Sequence, residues 1–537
     1  MNSPSGKRGA SVAARRKTPG ETGKRSGITE AIVRPLAVAM ILVLAAAIVA
    51  NSMTKEIGRD EQMYCTAGVL LAQGEMIYRD FSYPSQLPYH PLLLAACYKV
   101  LGTTHYLLVG RLVSVASDVL TTVLLLLIYR SVFGARRTDG LLFGLTAAVL
   151  YVFNPFVDYA AGYAWNHDVV ILCVALALWL LVTADFQSRN CYRPIGLIGA
   201  VLTFASFMRV TTALVELVFL AAILWMASGS LGNRVRRALP FLAGALVMCA
   251  WPVWVVGQAP EAFRLNLVRI PLLYGQWLHE IGVVYSKIGL TVDALRTPGT
   301  VVLVVLAGGL LWAGLRYRSG LDTQERRKAL VGALLPLVFV VIAYIPPTMW
   351  LQYLAIPVPF VVAAFAYPLL ALQRQAASDS LAKRMMAFAM PAAALVSVLA
   401  GWTVLLRTVF VLLPEKWEPM KVHEASRAVT EQVKEPRLVL TLGPLYALEG
   451  GCDIYAELAS GSIVYRIADR ITAAERQITR TIGRETLDSL VADHPPTAVI
   501  VGVEPPRFSS LEDPLRRIVP PGWRAENAGS LRAYVRP

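Results

Sequence analysis

Two adjacent carboxylates, Asp60 and Glu61, lie in the stretch GRDEQMYCTAG, a few residues after the first long apolar run of the chain. A carboxylate within hydrogen-bond reach of a hydroxyl can take its proton as that hydroxyl attacks an electrophile, so the pair is a candidate for general-base work. Asp168 stands in a comparable place, where Asn166-His167-Asp168 runs into the apolar stretch Val169 to Thr183. Arg79 and Arg209 flank apolar runs, where a guanidinium suits a phosphate. The plainer readings are that the acids cap helices and that the arginines reach for lipid head groups. An acid pair also offers oxygens to Mg²⁺ or Mn²⁺. No cysteine spacing or histidine cluster of a metal site accompanies it, so no cofactor is expected, although a divalent cation is compatible with the pair.

The elements that position these groups are membrane spans. Of 537 residues 56% are hydrophobic and only 16% charged, which excludes an ordinary soluble protein. About eleven apolar runs, the first from Pro35 and the last ending at Leu413, have roughly the length a helix needs to cross hydrocarbon with its backbone bonds satisfied internally. Residues 1–34 are basic and rich in Gly, Ser and Pro, and are expected to form a disordered cytoplasmic tail. Every second connection is then basic, as with Arg136 and Arg137, or Arg326, Arg327 and Lys328, which fits an inside assignment. That pattern accounts for the net charge of +15 without a nucleic-acid partner.

Two long loops fall on the outer side, 51–105 and 258–298, and an odd number of crossings puts residues 414–537 there too. The predicted organisation is a polytopic α-helical membrane domain over 35–413 and a periplasmic α/β domain over 414–537. In the latter, RLVLTLG and TAVIVGV read as strands and ITAAERQITRTI as a helix. The 258–298 loop is expected to cover the site and to bring Lys287 to a phosphate.

The loop wording RDEQMYCTAGVLLAQGEMIYRDFSYPSQLPYHPLLLAACYKVLG resembles the first periplasmic loop of GT-C glycosyltransferases, the superfamily of protein O-mannosyltransferases and the lipid A aminoarabinose transferase. The acid pair, Tyr64 three residues after Glu61, the G…Y.DF…P words and a Pro-initiated helix carry the likeness. NHDVVILC and MWLQYLAIPVPFVV, with Gln352 and Tyr353, are similar to two further pieces. The resemblance implies transfer of a sugar, at the periplasmic face of a bacterial inner membrane, from a polyprenyl-phosphate donor to a lipid, glycan or protein. Asp60 would be the base, and Asp168 would share the acceptor or stabilise positive charge on the sugar. Glu61 would be a further acid, and Arg79, Arg209, Tyr353 and Tyr64 would surround the phosphate. Where the aminoarabinose transferases have Lys-Pro, this chain has His90-Pro91, and His90 would donate to the phosphate once an anion made it cationic. A flippase of lipid-linked sugars is the rival, but it predicts ionisable groups in mid-span, where only Asp118 and Glu216 are notable. A surface-polysaccharide ligase or polymerase would place its charges much as seen here.

Overall fold

The computed structural model describes residues 20–537 apart from 135, 284–285 and 347–348. Helix α1 (Gly20–Thr54) is continuous, so residues 20–34, expected to be disordered, are helical, while 1–19 lie outside the described residues. Two short helices follow, α2 (Arg59–Gln73) and α3 (Tyr89–Leu101), and then α4 (Tyr106–Phe133), α5 (Arg137–Val152), α6 (His167–Thr183), α7 (Tyr192–Ser206), α8 (Ala213–Met226) and α9 (Leu231–Gln258). After a helical excursion containing α10 (Ile270–Glu280), the bundle resumes with α11 (Pro298–Arg316) and α12 (Thr323–Tyr344). It continues through the helical segment Leu351–Gln375 and α13 (Ser380–Ala400).

Each of the predicted apolar runs falls on helix, but among the described residues seven helical segments are long and apolar enough to cross a membrane. Helices α5 and α7, with 16 and 15 residues, reach only about 24 Å at 1.5 Å per residue, short of a full hydrocarbon crossing. The basic connections serve the ends of these helices. Lys328 Nζ donates to the carbonyls of Val182 (2.7 Å) and Ala184 (3.0 Å) where α6 ends, and Arg327 Nη1 donates to Trp225 O (3.1 Å) near the end of α8. Cations there satisfy orphan carbonyls and oppose the negative end of the helix dipole. Since α6 begins at His167, Asp168 and the Lys328 cap mark opposite ends of the bundle. The two acids expected in mid-span are held in interhelical bonds: Asp118 accepts from Tyr151 Oη (2.8 Å), and Glu216, which lies in the first turn of α8, from Thr203 and Ser206.

The C-terminal region is a five-stranded sheet of order β2-β1-β3-β5-β4, in which β1 (Leu438–Thr441), β2 (Asp453–Ile454) and β3 (Ala498–Val501) run parallel. β4 (Arg524–Ala528) and β5 (Leu531–Val535) close it as an antiparallel hairpin, whose two-residue turn uses Gly529 at φ +61°. β1 and β3 occupy the two predicted strand segments. All four residues of β3 are buried, as a continuous apolar run between covered faces requires. Helix α14 (Glu418–Thr430) leads into the sheet, and α15 (Pro444–Glu449) connects β1 to β2.

This region lies at the Asp168 end of the bundle. The turn before α15 presses on α2: a Cβ at Gly443 would lie 3.0 Å from Gln62 Oε1 and 2.6 Å from Val503 Cγ1. The second long loop is fastened to the sheet domain as well. Ile270 and Leu273 of α10 pack with Val464, Ile467 and Ile471, and Glu280 pairs with Arg470. Arg466, buried, pairs with Glu504 at 2.6 Å while its guanidinium lies 4.9 Å from the Phe508 ring centroid.

Candidate active site

The two neighbouring acids face different surroundings because successive helix positions are turned by about 100°. Glu61 is fully buried. Its carboxylate accepts Nε and Nη2 of Arg111 (2.9 and 2.8 Å), the Ala164 amide (2.6 Å) and the Gly58 amide at the start of α2 (2.7 Å). Arg111 is equally buried, and its remaining donors reach the carbonyls of Ser52 (2.7 Å), Lys55 (2.8 Å) and Glu56 (3.2 Å) at the end of α1. The pair thus binds the end of α1, the start of α2, the α4 span and the 161–166 connection into one knot. Four donors converge on the Glu61 carboxylate, which is withdrawn from the face that Asp60 presents. Arg111 was missed in the sequence, although an arginine inside an apolar run is itself a signal.

Asp60 faces the other way and is exposed. Tyr64 follows one turn later on the same side, an i,i+4 relation. Arg209, in the connection between α7 and α8, holds its guanidinium 4.7 Å from the ring centroid of Tyr353. Tyr64 and Tyr353 both lie within electrostatic reach of Asp60 and Arg209. Burial, and then the Asp60 charge, push the Tyr64 phenol up against the pull of Arg209, so it stays a neutral donor. An acid, a guanidinium and two phenols from three distant parts of the chain are therefore neighbours. Gln352 adjoins them, half-buried in the turn that carries Tyr353.

Asp168 is buried at the first turn of α6 and accepts the Gly162 amide at 2.8 Å. Gly162 has φ +85°, and a Cβ there would fall 2.8 Å from Ser52 Cβ, so the carboxylate holds a turn that requires glycine against the end of α1. Lys55 Nζ donates to Ala161 O (2.6 Å) and Tyr159 O (3.2 Å) of the same connection. Burial pulls Lys55 down to about 8 against the opposing charges of Asp158 and Asp168. His167, buried, stands within electrostatic reach of both Arg209 and Lys55.

Of three other expected phosphate ligands, two are engaged elsewhere and the third, His90, lies beside Tyr64. Arg79 is exposed and forms a two-pronged pair with Asp80 (2.9 and 2.6 Å). Lys287 Nζ donates to Tyr344 O and Pro346 O, each at 2.7 Å. His90 packs edge-on against Tyr64 with centroids 5.0 Å apart, and burial pushes it down to about 3. Desolvation there favours the neutral imidazole.

No protein-family model and no curated protein matches the sequence. Solved structures do match. ArnT from Cupriavidus metallidurans bound to undecaprenyl phosphate superposes with a TM-score of 0.59 at 15% identity, over 93% of this chain and 97% of that one. The chain has the GT-C fold. The Archaeoglobus fulgidus oligosaccharyltransferase, tethered to an acceptor peptide containing the NVT sequon, gives 0.51 at 10% identity over 87% of this chain and 69% of its own. The GT-C fold thus spans the apolar bundle and the C-terminal sheet alike.

Proposed function

We propose that the chain is a glycosyltransferase that moves a sugar from a polyprenyl-phosphate donor to an acceptor at the non-cytoplasmic face of a bacterial inner membrane. The observation that carries this reading is the placement of Asp60 and Arg209 around Tyr64 and Tyr353 at one end of the bundle. Asp60 takes the proton of an acceptor hydroxyl or amine as that group attacks the anomeric carbon. The bond from this carbon to the phosphate oxygen breaks, and its electron pair leaves with the phosphate. Arg209 meets that charge, Tyr64 donates a hydrogen bond, and the Tyr353 ring holds the guanidinium in place. A phosphate leaving group needs countercharge rather than a proton, so a single carboxylate suffices. Asp168 acts as a positioning residue through the Gly162 turn. The acceptor is a lipid, glycan or protein.

The test uses membranes containing the full chain and radiolabelled polyprenyl-phosphate sugars. Asp60→Asn lowers release of label by 10²- to 10⁴-fold in a variant that remains folded and monodisperse. Release at the wild-type rate in that variant would remove the proposal.

A further inference from the structure

His105 comes from a part of the chain remote from His423 and Glu449, yet the ligand atoms of all three lie within 4.8 Å of one another. His105 precedes the first residue of α4, His423 is on α14, and Glu449 ends α15. The cluster therefore sits where the sheet domain meets the membrane domain. His423 Nδ1 is 2.5 Å from Glu449 Oε2, the two imidazoles stack with centroids 3.6 Å apart, and Glu449 Oε1 accepts the Leu107 amide at 2.7 Å. His423 and Glu449 are buried, and the Nδ1 atom of His105 is buried with no hydrogen-bond partner. A buried ring nitrogen without a partner forfeits its solvation, which a metal would restore.

We infer that His105, His423 and Glu449 form a Zn²⁺ site that staples the sheet domain to the membrane domain. Two imidazoles and one carboxylate, with water in the fourth position, are a set that Zn²⁺ accepts, whereas Mg²⁺ and Ca²⁺ prefer oxygens throughout. Zinc-ligand distances of about 2.0–2.1 Å put tetrahedral ligand atoms about 3.3 Å apart, so the imidazoles turn inward on binding and the proton shared by His423 and Glu449 leaves to solvent. The positive charge of Arg427 near His105 opposes the metal, and the Glu449 carboxylate offsets it. Glu449 keeps its bond to the start of α4 through its other oxygen, so the staple fixes the helix that carries Arg111.

The experiment takes the full chain in detergent, purified without a polyhistidine tag and stripped with chelator. On adding Co²⁺, the wild type develops the intense visible bands of a four-coordinate site at one equivalent, and Zn²⁺ displaces them and raises the melting temperature. His105→Phe keeps a stacked ring but removes the ligand, and weakens Zn²⁺ binding at least 100-fold. Glu449→Gln, which retains an acceptor for Leu107, gives a second route to the same loss. A wild type that shows no four-coordinate Co²⁺ spectrum at saturation overturns the inference. Equal Zn²⁺ stoichiometry and melting shift in wild type and folded variants overturn it as well.

Discussion

Behind α2 and in front of it, the same helix meets two kinds of charge. Behind it, Glu61 and Arg111 are withdrawn from water and matched by donors and acceptors on four chain segments. In front of it, Asp60 is exposed and Arg209 lies over an aromatic ring. A buried ion pair gains little net energy, since desolvation consumes most of the attraction, but losing one partner strands a charge. Its use is geometric. The knot fixes where α2 begins, and that decides which way Asp60 points. The contrast teaches that adjacency in sequence says little about shared function when a helix separates two residues by a quarter turn or more.

Removing one side of the knot is the largest perturbation. Arg111→Met leaves the buried Glu61 carboxyl without its cation, and costs about 3–5 kcal/mol. Thermal unfolding in detergent should show a much lowered melting temperature and poor monodispersity, a far larger loss than Asp60→Asn causes. Pairing Arg111→Met with Glu61→Leu should recover much of the loss, because no charge is then stranded. A single Arg111→Met variant as stable as wild type would mean that the knot does not organise this end of the bundle.

Much of the fold was legible before any coordinates, for a specific physical reason. Apolar runs have to become helices in lipid, and β1 and β3 lie on the two apolar runs expected to be buried strands. Hydropathy does not set length: α5 and α7 have the composition of spans but only 16 and 15 residues. The site was legible in its acids and tyrosines, and much less so in its partners. Glu61 meets Arg111 across 50 positions, and Lys287 meets backbone carbonyls near Tyr344 across 57. His423 and Glu449 lie more than 300 positions from His105 and are joined to it only by domain docking. Spacing has no access to such closures. The 51–105 loop carried its wording locally, which is why Asp60 and Tyr64 could be paired from sequence alone.

A smaller effect separates the two sides of α2 by pH. His90 is neutral in the folded chain, with its value depressed to about 3, against about 6.5 in an unfolded chain. Between those values the unfolded state binds more protons, so stability falls as pH drops through that window. At pH 5 the loss relative to pH 7 is about 2 kcal/mol. His90→Phe, which keeps a ring against Tyr64, should flatten the acid side of the melting-temperature profile by that amount. An unchanged acid slope would mean that the imidazole reaches water.

The smallest effect tests how Arg209 is held. Tyr353 offers the guanidinium a ring face, worth about 0.5–1 kcal/mol at a partly exposed site, and also a hydroxyl that would bond to the donor phosphate. The two roles separate by substitution. Tyr353→Leu loses both, and should raise KM for the polyprenyl-phosphate sugar by several fold with kcat little changed. Tyr353→Phe keeps the ring: if Arg209 placement alone matters, its KM stays at the wild-type value, and if the hydroxyl binds phosphate, it follows the leucine variant. A fall in kcat with KM unchanged in either variant would move Tyr353 from holding the ground-state phosphate to stabilising charge in the transition state. Arg209 would then act on the leaving group rather than on the resting donor.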